Sequence, residues 1–123
     1  MSARTKDNFT RAYAKLEEFL NAQADPDLRR TAVIHAFEYT FEAGWKLLRS
    51  KLVEAGEVPA GPRDSIAKAA SIGIIDPAEE EDWLDMLADR NNSVHTYNEE
   101  LAVEMEERIQ TRYRQRLLSL AAV

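Results

Sequence analysis

Four side chains within DRNNSVHTYNEE, residues 89–100, could together act on a phosphate ester: Arg90, Asn91, His95 and Tyr97, in the pattern RNxxxHxY. Imidazole is the side chain whose ordinary titration falls nearest neutrality, so His95 could take the proton of a ribose 2'-hydroxyl or supply one to the leaving oxygen. A guanidinium stays charged in any protein setting. Arg90 could therefore stabilise charge gathering on the phosphoryl oxygens, with Asn91 orienting either group. That chemistry is metal-independent cleavage of RNA. A plainer reading competes with it, in which His95 and Asn91 only satisfy the orphan backbone groups where one helix ends and the next begins. The stretch contains neither Gly nor Pro, so turn geometry alone does not explain its composition.

Arg90 follows Trp83, Met86 and Leu87 at seven, four and three residues, which puts it on the same side of a helix as those apolar groups. An inward guanidinium requires carboxylates, a wet cleft or a bound anion. His35, Glu38, Glu42 and Lys46 share one face of an earlier helix. There, Glu38 and Glu42 repel by about 0.2–0.5 kcal/mol unless a cation lies near them. Arg90 would serve as that cation. Glu38, Glu42, Lys46 and Tyr97 are thus the candidate nucleotide- or partner-binding residues, and a buried ion network without chemistry is the alternative.

The elements that must position these groups are helical. Phe9, Ala12, Tyr13, Leu16, Phe19 and Leu20 mark a first helix from about Asp7 to Ala22. Asp25 and Pro26 start a second, which runs to about Ala55 with Gly56 after its end. Its inward stripe is Ile34, Phe37, Phe41, Trp45, Leu48 and Leu52. A short third helix covers Arg63 to Ser71, and a fourth opens at Asp76-Pro77, with Glu79 in a box-like arrangement. The fourth reaches Arg90 or slightly beyond. Thr96 with Glu99 resembles a capping box for a fifth helix, whose buried face is Leu101, Met105, Ile109, Tyr113, Leu117 and Leu120. The expectation is an all-α fold: an up-and-down bundle of four long helices plus one short helix, in a single domain over residues 1–123.

Composition agrees with that class. A chain of 123 residues with 45% hydrophobic and 31% charged residues has a globular balance, and four Gly and four Pro leave little for a many-turned β fold. The absence of cysteine and of any long apolar segment points to a cytoplasmic protein that neither binds thiolate-held metal nor enters a membrane. A net charge of −6 argues against a general coat for duplex nucleic acid. Arg108, Arg112 and Arg116 form a stripe that reads as a solvated face or as an RNA or partner contact. Neither His has a Glu three residues before it, so a di-iron bundle is not indicated, and no metal or cofactor is expected. The chain also lacks a Gly-Ser phosphate turn, so it is not a nucleotidyltransferase by itself.

The motif RNNSVHTY resembles the RNxxxHxY signature of the HEPN superfamily, and FEYTFEAGWKLL, residues 37–48, resembles a helix of its nucleotidyltransferase substrate-binding protein branch. GPRDSIAKAASIGIID and EDWLDMLADRN are similar to the same branch, so the likeness spans Phe9 to Leu118. The resemblance implies a five-helix bundle that forms a homodimer and pairs with a small, separately encoded nucleotidyltransferase, binding nucleotide or RNA at the dimer cleft in a toxin-antitoxin type module. It also implies an alternative, a metal-independent endoribonuclease toxin acting through Arg90 and His95, with Asn91 in support, and silenced when the partner attaches AMP to Tyr97. Gly44 stands where a larger residue is expected before Trp45, and would admit a close helix approach.

Overall fold

The computed structural model describes residues 2–123. Helix α1 (Ser2–Leu20) and helix α2 (Pro26–Glu54) pair as a hairpin. The break between them is set by Asp25, whose carboxylate accepts from the amides of Asp27 at 3.0 Å and Leu28 at 3.2 Å, while Pro26 occupies a position that needs no donor. Gly56, at φ 88°, ends α2 in a conformation that side chains disfavour. Helix α3 (Pro62–Ser71) follows, then a 3-10 turn at Pro77–Glu79 and helix α4 (Glu80–Asn92). A second 3-10 turn, Ser93–His95, leads into α5 (Glu99–Arg108), which continues through a π turn (Ile109–Tyr113) into α6 (Arg114–Leu120).

α2 is the central element and touches every other helix. The expected stripe from Ile34 to Leu52 is buried throughout, but so are Val33, Ala36, Thr40, Gly44 and Leu47 on further faces of the helix. Together with Phe9 and Leu16 of α1, Ile66 of α3, Trp83 and Met86 of α4, and Ile109, Tyr113 and Leu117 of the last rod, the apolar members of this set form one hydrophobic cluster. Burial of each large side chain contributes about 1.5–3 kcal/mol. Gly44 admits the close approach expected of it: a Cβ there would lie 3.3 Å from Phe9 Cε1 and 3.4 Å from Leu120 Cδ2.

Four expectations are corrected. α5 is capped not by Thr96 but by Asn98, whose side chain accepts from Leu101 N at 3.2 Å; the Thr96 hydroxyl donates instead to Ser93 O at 2.7 Å. Leu101 is 44% exposed and Ala102 takes its place against α2, because the core-facing side of this first turn is set by Met105 and Glu106. The fourth helix opens with Asp76 accepting from Ala78 N at 2.9 Å, whereas the Glu79 carboxylate turns to Arg116 rather than closing a box. The arginine stripe is not a free basic face, although each of its side chains keeps about a third of its surface exposed. Arg108 is held by Asp89, Arg112 by Asp82 and Asp85, and Arg116 by Asp82, so the stripe joins the last rod to α4.

Candidate functional site

The site residues are set by where α4 ends against α2. Arg90 sits in the last turn of α4, and its Nη2 donates to Glu42 Oε1. The ion pair expected between these helices is therefore present, with 36% of the Arg90 side chain and 32% of the Glu42 side chain still exposed. Lys46, one turn along α2, lies 3.6 Å from the other Glu42 oxygen. Glu42 is thus shared between two cations, which removes the repulsion that Glu38 would otherwise exert on it.

Glu38 has a separate set of partners. Ser93, buried at the end of α4, donates its hydroxyl to Glu38 Oε2, with the carbonyl of Arg90 as a second acceptor 2.8 Å away. His35 Nδ1 lies 3.6 Å from Glu38 Oε1 and its ring meets the Tyr39 ring edge-on at 5.4 Å. Sequence reading did not single out Ser93. Its signal was present, since it follows Arg90 by three residues and so falls on the same helix face.

Three open grooves run along this end of the bundle and share walls. The first, about 450 Å³, is bounded by α2 and α5 and includes Thr31, His35, Glu38 and Tyr97. The second, about 500 Å³, includes His35, Glu38, Tyr39, Glu42, Arg90 and Asn91. The third, about 570 Å³, lies between α3 and α4 and again includes Arg90 and Asn91. The structure therefore gathers Arg90, Asn91, Glu38 and Glu42 along one groove, places Lys46 behind Glu42, and sets Tyr97 in the neighbouring groove.

His95 is the residue that stands apart. It occupies the 3-10 turn, is exposed, and contacts the Tyr97 ring at 6.2 Å between centroids. No hydrogen bond or ion pair joins it to Arg90 among the described residues, and it lines none of the three grooves. Tyr97 itself is 86% exposed. Among the described residues no three His, Cys, Asp or Glu side chains converge as metal ligands do, and no helix is long and apolar enough to cross a membrane.

The family described as nucleotidyltransferase substrate binding protein like matches residues 5–122, and the chain belongs to it. A crystal structure of a protein from Thermus thermophilus is similar at 36% identity with a TM-score of 0.83, over 93% of this chain and 95% of that one. No curated protein matches the chain. The nucleotidyltransferase substrate-binding family anticipated from FEYTFEAGWKLL, and the all-helical bundle, are thus the ones found.

Proposed function

We propose that this chain is the substrate-recognising subunit of a two-component system: a homodimer that docks a separately encoded small nucleotidyltransferase and presents the Arg90 to Tyr97 surface to a nucleotide or RNA. The observation that carries this reading is that Arg90, although ion-paired with Glu42, forms a shared wall of two open grooves and keeps access to water. A guanidinium so held is pre-oriented, and it has unused donors for a phosphate, with which it forms bonds roughly twice as strong as neutral ones. Asn91 adds a donor beside it, while Glu42, itself held by Lys46, fixes its direction. The family to which the chain belongs supports the link to a nucleotidyltransferase.

A second reading has its own support in the exposure of Tyr97, whose hydroxyl has no hydrogen bond among the described residues. Under it, the protein is an endoribonuclease toxin: His95 moves the proton of the 2'-hydroxyl, Arg90 stabilises the phosphoryl charge, and AMP transferred to Tyr97 silences the pair. One experiment separates the two. Co-expression with a small nucleotidyltransferase from the neighbouring reading frame should give a co-purifying complex that is weakened by Arg90→Ala and Tyr97→Ala. A partner bound equally well by both variants removes the assigned contact surface. RNA cleavage by the free dimer, lost in His95→Ala, together with an AMP mass increment on Tyr97, would favour the toxin reading over the accessory one.

A further inference from the structure

The groove between α3 and α4 is unexplained by the residues of the RNxxxHxY motif alone. Pro62, Arg63 and Ala67 line it from α3, and Leu87, Arg90 and Asn91 from α4. Arg63 is exposed and, with Arg4, is one of two arginines that make no ion pair or ring contact among the described residues. The others are committed, either to carboxylates or, for Arg49, to the Trp45 ring. The one carboxylate lining this groove, Asp64, is already engaged by Lys68 at 2.9 Å and by the amide of Ala60 at 2.8 Å. The groove therefore presents two guanidiniums with one of them free of any acid, above an apolar wall.

We propose that this groove is a second phosphate subsite, with Arg63 as its anchor, and that the ligand is a single-stranded oligonucleotide whose chain crosses Arg90. The inference rests on the reading of Arg90 as an anion-binding residue. Arg90 and Asn91 divide this groove from the one that holds Tyr39 and His35, so a phosphate at Arg90 has room for a nucleotide on either side. Tyr39 and His35 supply ring faces on the first side, and base stacking on such rings is sequence-tolerant. Pro62, Ala67 and Leu87 supply apolar surface on the second. That lining suits a further ribose and base whose phosphate meets Arg63, and does not suit a bare polyphosphate tail.

The test uses the purified full chain, a fluorescently labelled uridine octanucleotide, uridine monophosphate and ATP, with binding followed from about 50 to about 200 mM salt. Arg63→Ala is expected to weaken the octanucleotide about tenfold, to reduce the slope of log affinity against log salt by about 0.7, the loss of one single-strand phosphate contact, and to leave uridine monophosphate unchanged. Arg63 has no internal partner, so the variant should fold normally, which circular dichroism verifies. An octanucleotide affinity and salt slope unaltered by Arg63→Ala, while Arg90→Ala weakens binding, would overturn the subsite and leave the Arg90 reading standing. An equal loss for ATP would overturn the oligonucleotide ligand. Failure of the wild-type chain to bind the octanucleotide, or binding indifferent to Arg90→Ala, would overturn both inferences together.

Discussion

Replacing Asp89 by Ala is the perturbation whose size follows most directly from the geometry. Asp89 immediately precedes Arg90, and its side chain is only 12% exposed. It accepts two N–H bonds from Arg108, both at 2.8 Å, and the Tyr113 hydroxyl at 2.5 Å. The π turn makes this possible: Arg114 N–H reaches back to Ile109 O, and the added residue brings Tyr113, five after Arg108, to the same acceptor. Truncating one member of a buried ion pair typically costs about 3–5 kcal/mol. Arg108 keeps 35% of its side chain exposed and so recovers some hydration, which places the expected loss at the lower end, about 3 kcal/mol. At roughly 4 °C per kcal/mol for a domain of this size, the melting temperature should fall by about 12 °C. Tyr113→Phe removes one bond to a charged acceptor and should cost about 1.5 kcal/mol. Once Asp89 is Ala, however, Tyr113→Phe should add almost nothing. Urea unfolding of the two single variants and the double variant measures this coupling. A loss below about 1 kcal/mol in Asp89→Ala, or additive losses in the double variant, would refute the idea that this cluster ties α4 to the last rod.

Two further outcomes follow from the same packing. Gly44→Val places branched carbons where a Cβ already meets Phe9 at 3.3 Å and Leu120 at 3.4 Å, so overpacking should cost about 1–3 kcal/mol, read by calorimetry; an unchanged melting temperature would mean that α1 and α6 yield freely. Stability should fall at both pH extremes, for different residues. The Tyr113 phenol is pushed above its ordinary 10.0, first by burial and then by Asp89, so its contribution is complete below pH 10.0 and is lost as pH rises beyond it. Burial alone would raise the Asp82 carboxyl, but Arg112 and Arg116 outweigh it and hold it below 3.8, so its contribution is present above that value and is lost as pH falls beneath it. Tyr113→Phe should flatten the alkaline limb and Asp82→Asn the acid limb in denaturant unfolding across pH; limbs as steep as those of the wild type would contradict the assignment.

Much of the fold was legible because most of these helices bury one stripe and carry explicit end signals, such as Asp25-Pro26 before α2 and Gly56 and Gly73 after α2 and α3. α2 was read as one-sided because apolar spacing reports the strongest stripe; Val33 and Leu47 fall outside that stripe, and the small residues Ala36, Thr40 and Gly44 add contacts without a hydrophobic signature. The last rod was harder. A π turn shifts register without any proline or glycine to mark it, so the sequence offered a continuous four-residue spacing through Tyr113. At the site, the Arg90 and Glu42 pair could be anticipated because both lie on known helix faces. The position of His95 could not, since a 3-10 turn of three residues aims its side chains by local geometry rather than by a repeating period.

The distribution of charge explains why the grooves are the place to look for a ligand. With a net charge of −6, the chain has no long-range attraction for a polyanion. Arg108, Arg112 and Arg116 are ion-paired with α4, Arg29 and Arg30 with Glu106, and Arg114 with Glu17, which ties the bundle together and neutralises those cations in pairs. Arg63 and Arg90 line the groove between α3 and α4, one unpaired and one shared with Glu42, whereas Arg30, which lines the groove of Tyr97, is held by both Asp27 and Glu106. On the proposed reading, binding then depends on two local phosphate contacts and adjacent ring and apolar surfaces rather than on a basic face. Such a site would discriminate by the shape and length of a single strand, and its salt dependence would be that of about two phosphate contacts.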